Sequence, residues 1–309
     1  MDDLKSNKII ITGGTGFLGT NLYYTLLDKG VPKENIKILG SKTDLRIKEN
    51  CKIFDKNDIV FHLAATTGGI GKHKTSPAQI VYDNLLMNTN VIDEAAKAGV
   101  SKLILVGTAC SYPAKAKVPL KEKDIWKGYP AKETAPYGVV KRVMSVQADA
   151  YREQYGLSAI TIIPTNMYGK YDNFTQSAHV IPALIKKISQ AKQTNEKEVL
   201  IWGDGTATRE FIYAQDVAKA LIMAAEKYDK PDPLNIGTGI ETPIKDLVHL
   251  LTQLIGYEGE IKWDATMPNG TQRRQLDVSK AYKALGFKAS TGLEEGLRET
   301  IKWYSTREF

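Results

Sequence analysis

The stretch "GTACSYP" (107–113) is followed by "YGVVK" (137–141). On a helix, Tyr137 and Lys141 stand one turn apart on one face. A lysine beside the phenol favours ionisation of a group whose ordinary pKa is about 10. Tyr137 can then hand a proton to a carbonyl oxygen as hydride reaches its carbon. Thr108 supplies a hydroxyl to hold that oxygen. These three residues suffice for a ketone reductase. Cys110 adds nothing to hydride transfer, but a thiol is useful to an enzyme that must also remove a proton from carbon.

Hydride transfer needs a dinucleotide. "IIITGGTGFLG" (9–19) sets Gly13, Gly16 and Gly19 between a strand and a helix, with GxxGxxG spacing. Glycines allow a tight turn and close backbone approach, and the helix start offers free N–H groups to a pyrophosphate. An acidic residue at the end of the second strand would repel a 2′-phosphate. The chain instead has "LGSKTDL" (39–45), which puts Ser41 and Lys42 near that point and leaves Asp44 to reach the adenine. NADP(H) is therefore favoured over NAD.

The elements that must carry these residues alternate. Strand patterns at 8–12, 36–39, 58–64, 102–107 and 158–164 are separated by helical patterns at 16–30, 78–99 and about 132–155. That rhythm predicts an α/β, Rossmann-type, doubly wound parallel sheet. After Pro164 it loosens into a smaller C-terminal α/β substrate lobe. The expected division is a dinucleotide domain over 1–168, with 211–232 returning to it, and a discontinuous lobe over 169–309.

Composition narrows the class. No apolar run nears the roughly 18 residues needed to span a bilayer, and "MDDLKSNK" lacks a signal-peptide core. Two cysteines, Cys51 and Cys110, cannot build a disulfide framework, and no metal-ligand spacing occurs. A cytoplasmic enzyme with no metal and no membrane partner is expected. The net charge of +7 is spread along the chain without a basic block. It fits a plain basic surface or a site holding several phosphates better than a nucleic-acid partner. Cys51 reads as packing and His62 as structural. His73 and His249 carry no motif, although His73 follows the "GGI" loop closely enough for substrate contact.

The ordered blocks "HLAATTGGIGKH", "GTACSYP", "YGVVKR", "PTNMYGKYDNF", "HVIPALIKK", "WGDGTATREFIY", "NIGTG" and "NGTQRRQLDVSK" resemble the extended short-chain dehydrogenase/reductase superfamily. Within it they resemble the GDP-4-keto-6-deoxy-D-mannose 3,5-epimerase/4-reductases, the GDP-L-fucose synthase family. The resemblance runs from Lys8 to the C-terminus. It implies that Cys110 and His179 exchange protons at sugar carbons 3 and 5, made acidic by the 4-keto group. Cys110 is assigned as base and His179 as acid, although the sequence does not orient the pair.

The resemblance further implies NADP(H) contacts at Gly13, Thr15, Gly16, Phe17, Leu18 and Gly19, and at Ser41, Lys42, Asp44 and Leu45. Leu63, Ala64, Ala65, Val106, Gly107 and Thr108 follow, then Tyr137, Lys141, Pro164, Thr165, Asn166, Met167 and His179. Asn166 is placed at the nicotinamide end. For the GDP-sugar it implies Lys187 and Arg209 at the diphosphate, Trp202 near the nucleotide or sugar, and Asp277 on hydroxyls. Two departures stand out: Lys187 lies in a "KK" pair where "RR" is frequent, and Thr108-Ala109 replaces two hydroxyl residues. The resemblance implies a homodimer joined through helices near 78–98 and 132–155. The rival readings are a reductase of another 4-keto GDP-sugar, such as a 6-deoxy-heptose, and a non-catalytic NADP-sensing protein.

Overall fold

The computed structural model describes residues 2–175, 178–267 and 269–307. A short helix α1 (Asp2–Ser6) leads into β1 (Ile9–Thr12), α2 (Phe17–Asp28), β2 (Ile36–Leu39) and β3 (Ile59–His62). Helices α3 (Ile70–Thr75) and α4 (Pro77–Ala98) cross to β4 (Lys102–Val106), and α5 (Ala135–Tyr155) crosses to β5 (Ala159–Pro164). Then come β6 (Asn166–Tyr168), α6 (Val180–Gln193), β7 (Glu198–Trp202), β8 (Thr208–Tyr213), α7 (Ala214–Lys227) and β9 (Leu234–Ile236). The described chain closes with β10 (Glu241–Pro243), α8 (Ile244–Ile255), β11 (Glu260–Asp264), β12 (Arg273–Arg274), α9 (Ser279–Leu285) and α10 (Leu293–Ser305).

Strands β2-β1-β3-β4-β5-β9 form one parallel sheet in that order. Both faces are covered, so the strands read as continuous apolar runs. Alternate residues of "III" serve opposite cores. Ile9 and Ile11 pack with Leu22, Leu26, Val217 and Leu221 of α2 and α7, while Ile10 packs with Val91, Ala95 and Met144 of α4 and α5. The chain leaves β1 for β2 on one side and returns to β3 on the other. That reversal opens a crevice at the carboxyl end of β1, where doubly wound sheets bind ligands.

The remaining strands are shorter. β8 lies parallel to β6 and β12 and antiparallel to β10, and β7 pairs with β11. A third core, with Ile185, Ile188, Val199, Leu247, Leu251 and Leu297, joins α6, α8 and α10 to these strands. Segment 214–236 goes back to the first sheet, as α7 beneath it and β9 at its edge.

Some elements differ from the sequence reading. The helix expected from about 132 starts at Ala135, where Pro136 occupies its first turn. Neither α3 nor α9 shows in the pattern, because six or seven residues are too few to reveal a helical period.

Candidate active site

The glycine loop is a cradle that side chains would fill. Gly13 has φ +67°, and a Cβ there would lie 2.7 Å from the Ala64 nitrogen. A Cβ on Gly19 would lie 2.4 Å from the Gly13 oxygen, so α2 sits hard against the loop. Gly14, which the spacing rule passes over, is as confined, with Ile38 Cγ2 at 2.6 Å from its would-be Cβ. Gly16 precedes α2 and gives its first turn no side-chain cap, which leaves those N–H groups for a ligand. Thr15 packs against Gly40 at the end of β2. Phe17 and Leu18 open α2. The cradle fits a dinucleotide pyrophosphate.

Ser41 and Lys42 follow Gly40 and are exposed. The Asp44 carboxylate is gripped by Arg46 through Nε at 2.9 Å and Nη2 at 2.8 Å, and these hydrogen bonds hold it down to about 2. Arg46 also reaches Asp83 at 2.9 Å. The acid assigned to the adenine is thus already paired, and Arg46 joins Lys42 as a second cation here. Leu45 is core, beside Cys51. Leu63 and Ala64 leave β3 and donate from their main chain to Thr12, at 3.1 and 3.3 Å, and Ala65 follows. Val106 and Gly107 end β4, and Pro164 ends β5. Thr165 and Asn166 both donate to the Glu210 carbonyl, at 3.2 and 2.8 Å, and Met167 is partly buried beneath them. All these positions share the carboxyl edge of the sheet.

The reactive residues meet at that edge. Thr108 Oγ1 accepts from the Cys110 N–H at 3.2 Å, which leaves its own proton to donate to a ligand. The loop holding Cys110 is clamped to α5. A Cβ on Gly138 would meet the Cys110 oxygen at 2.3 Å; Ser111 Oγ donates to the Gly138 carbonyl at 3.1 Å; Arg142 Nε donates to the Ser111 carbonyl at 2.7 Å. Close approach at Gly138 therefore brings Tyr137 to Cys110.

Tyr137 and Lys141 are both buried on α5. Burial drives the Tyr137 phenol up, Cys110 adds to this, and only a hydrogen bond with Thr67 opposes it. The Lys141 Nζ lies 5.8 Å from the Tyr137 ring centroid and contacts Met144 Sδ at 3.7 Å; burial alone brings it down to about 8. Two buried groups without a charged partner both favour their neutral forms.

His179 precedes α6. It is exposed to solvent, and desolvation lowers its pKa. His73 of α3 is buried, its ring centroid 5.9 Å from that of Tyr137, and it feels the His179 charge. His62 is structural, with Nδ1 2.7 Å from Thr12 Oγ1 and Nε2 3.0 Å from Asn88 Oδ1; burial first holds it down to about 3. Cys51 is buried and pushed up to about 12 by desolvation. His249 is exposed beside Gln253.

Arg209 and Arg274 face each other on paired strands. Burial, with Arg274 second, brings Arg209 down to about 10. Arg209 donates to the Thr208 and Asn269 carbonyls at 2.7 and 3.3 Å, and Arg274 Nη1 donates to Cys110 Sγ at 3.7 Å. Among the described residues neither guanidinium has a carboxylate partner, which suits an anionic ligand. Buried Glu210 holds the register, accepting from the Gly239 and Leu276 N–H groups, each at 2.7 Å. Trp202 is 59% exposed at the end of β7, and Lys187 on α6 donates to the Leu200 carbonyl beside it. The Asp277 carboxylate accepts from the Ser279 N–H at 2.9 Å through Oδ1 and faces Lys121. It lines a cleft of 580 Å³ with Arg142, Trp126 and Lys280, and Gly107 and Lys141 line the same cleft. Sequence reasoning missed Arg274, Glu210 and Gly138. Only "YG" at the start of a helix hinted at one of them.

The chain belongs to the NAD dependent epimerase/dehydratase family, which matches residues 9–237. Its likeness narrows further. It is 35% identical to GDP-L-fucose synthase 1 of Arabidopsis thaliana over 304 residues, covering 97% of this chain and 94% of that one. Among solved structures it is similar to a GDP-6-OMe-4-keto-L-xylo-heptose reductase from C. jejuni, with TM-score 0.92, 29% identity, and 98% and 99% of the two chains covered. It is likewise similar to a GDP-L-fucose synthetase from Naegleria fowleri bound to NADP, with TM-score 0.89, 26% identity, and 98% and 93% covered.

Proposed function

We propose that this protein is an NADPH-dependent enzyme that converts GDP-4-keto-6-deoxy-D-mannose to GDP-L-fucose, inverting C3 and C5 and reducing C4. The observation that carries this reading is the clamp at Gly138, which sets a thiol beside the tyrosine of a reductase pair, with Arg274 donating to its sulfur. Reduction needs only Thr108, Tyr137 and Lys141. Proton exchange at carbon needs an added base and acid, and Cys110 and His179 are available.

The glycine cradle, Ser41 with Lys42, and the strand ends from Leu63 to Met167 hold NADPH, which when bound supplies the hydride. Cys110 takes the proton from the carbon beside the ketone, and Arg274 offsets the charge near that sulfur. His179 returns a proton from the other face. Thr108 then holds the C4 oxygen while Tyr137 protonates it. Arg209, with Arg274 beside it, receives the GDP diphosphate, and Lys187 and Trp202 flank the nucleotide. Asp277 accepts from a ligand hydroxyl through Oδ2 while Oδ1 keeps its bond to Ser279.

Residues 1–168 with 211–232 form the cofactor domain and 169–309 the substrate lobe. A homodimer through α4 and α5 fits the exposed Tyr82 (60%), Val146 (52%) and Tyr155 (61%) on those helices. Two free cysteines accord with a cytoplasmic setting. Reduction of a 4-keto heptose is the second reading, favoured by the 0.92 structural match to a heptose reductase.

Incubation with GDP-4-keto-6-deoxy-D-mannose and NADPH in deuterated water tests this. NADPH loss with deuterium at both C3 and C5 is expected. Oxidation without deuterium would make the protein a plain 4-reductase, and no oxidation would turn attention to the heptose substrates.

A further inference from the structure

His73 is a buried polar group that the proposed chemistry does not use. It is 6% exposed, and among the described residues its Nδ1 has no hydrogen-bond partner of good geometry, although the Gly68 main chain acts on the ring. Buried polar atoms are rarely left in that state, because desolvation without a partner is unfavourable. Its neighbours are those of the reaction. The ring lies 5.9 Å from the Tyr137 ring, inclined at 61°, and within electrostatic reach of His179. It also follows the Gly68-Gly69 turn at the start of α3, which packs against α4. Burial, then His179, keeps the imidazole neutral, so it carries both a donor and an acceptor nitrogen.

We propose that His73 is a substrate-binding residue of the sugar subsite, its Nδ1 making a hydrogen bond to a ring hydroxyl of the keto-sugar. The inference rests on the function proposed above. A hydroxyl both donates and accepts, so it satisfies Nδ1 in either neutral tautomer. The same nitrogen could meet the carboxamide of NADPH, and the test separates the two ligands.

Titration calorimetry of the full-length wild type, His73→Asn and His73→Leu with GDP, NADPH and GDP-L-fucose reads the contact directly. His73→Leu is expected to weaken GDP-L-fucose by roughly 5- to 10-fold while GDP and NADPH stay within about twofold. Asparagine carries a polar atom close to the Nδ1 position, so His73→Asn is expected to keep wild-type affinity within about twofold. If the leucine variant does not fold, His73→Ala takes its place in the comparison. Unchanged GDP-L-fucose binding in the leucine or alanine variant overturns the proposal. So does an equal loss for GDP, which marks a packing role, or a loss for NADPH alone, which moves the contact to the cofactor. A wild type that binds GDP-L-fucose no better than GDP instead refutes the proposed function, and the His73 contact falls with it.

Discussion

The clamp between α5 and the Cys110 loop makes a sharp prediction at Gly138. In Gly138→Ala the new methyl meets main chain, the Cys110 oxygen at 2.3 Å and its carbonyl carbon at 2.8 Å, so no rotamer change relieves it. The first contact must open to at least 3.0 Å, and the loop must therefore move by about 0.7 Å. Overpacking of this kind costs about 1–3 kcal/mol, and alanine's better helix propensity returns up to about 1 kcal/mol of that. Net destabilisation should lie between about 0 and 3 kcal/mol, which leaves a folded protein. Catalysis is less forgiving, since a misplacement of about 1 Å can cost 10²-fold. Deuterium exchange at C3 and C5, followed by NMR, is expected to fall on the order of 10²-fold. NADPH affinity should change far less than exchange does, because the glycine cradle that holds the pyrophosphate lies apart from the clamp. Urea titration gives the stability. A Gly138→Ala protein with wild-type exchange and wild-type stability would falsify the close approach and the argument built on it.

Further outcomes follow from the other contacts. Cys110→Ala is expected to cut deuterium incorporation by about 10²- to 10⁴-fold while leaving NADPH binding intact; retained exchange would remove the thiol from the chemistry. Lys141 has a depressed folded pKa, near 8 against an ordinary 10.5, so the unfolded chain binds the extra proton and stability rises as pH climbs between those values. Lys141→Met should therefore stabilise the cofactor-free protein at pH 7 by something on the order of 3 kcal/mol, with the gain shrinking toward pH 10.5, while reductase activity is lost. A less stable variant at pH 7 would contradict the burial of that amine. Lys42→Glu is expected to weaken NADPH about tenfold and NADH much less, as measured by fluorescence titration. On the proposed interface the wild type is expected to sediment as a dimer and Val146→Asp as a monomer; a wild type that sediments as a monomer removes the α4–α5 interface.

Much of the site was legible because its signals are local. The glycine loop, the Tyr137–Lys141 pair and the Thr108–Cys110 spacing each lie within a turn or two of chain, where strand and helix periodicity fix which side chains share a face. The apolar runs of β1, β3, β4 and β5 likewise announce a sheet covered on both faces. The chain's bulk also determined that a basic surface would carry no long cationic block. Contacts across the fold were not legible. Arg274 reaches Cys110 from 164 residues away, through a two-residue strand whose place beside β8 depends on buried Glu210. The pairing of Asp44 with Arg46, the bond from Ser279 to Asp277, and the 5.8 Å between the Lys141 amine and the Tyr137 ring are contacts that spacing does not disclose. Sequence by itself determined which chemical groups stand at the sheet's carboxyl edge. Only the tertiary structure decided which of them touch, because burial and partner geometry, unlike periodicity, arise between segments that the chain keeps far apart.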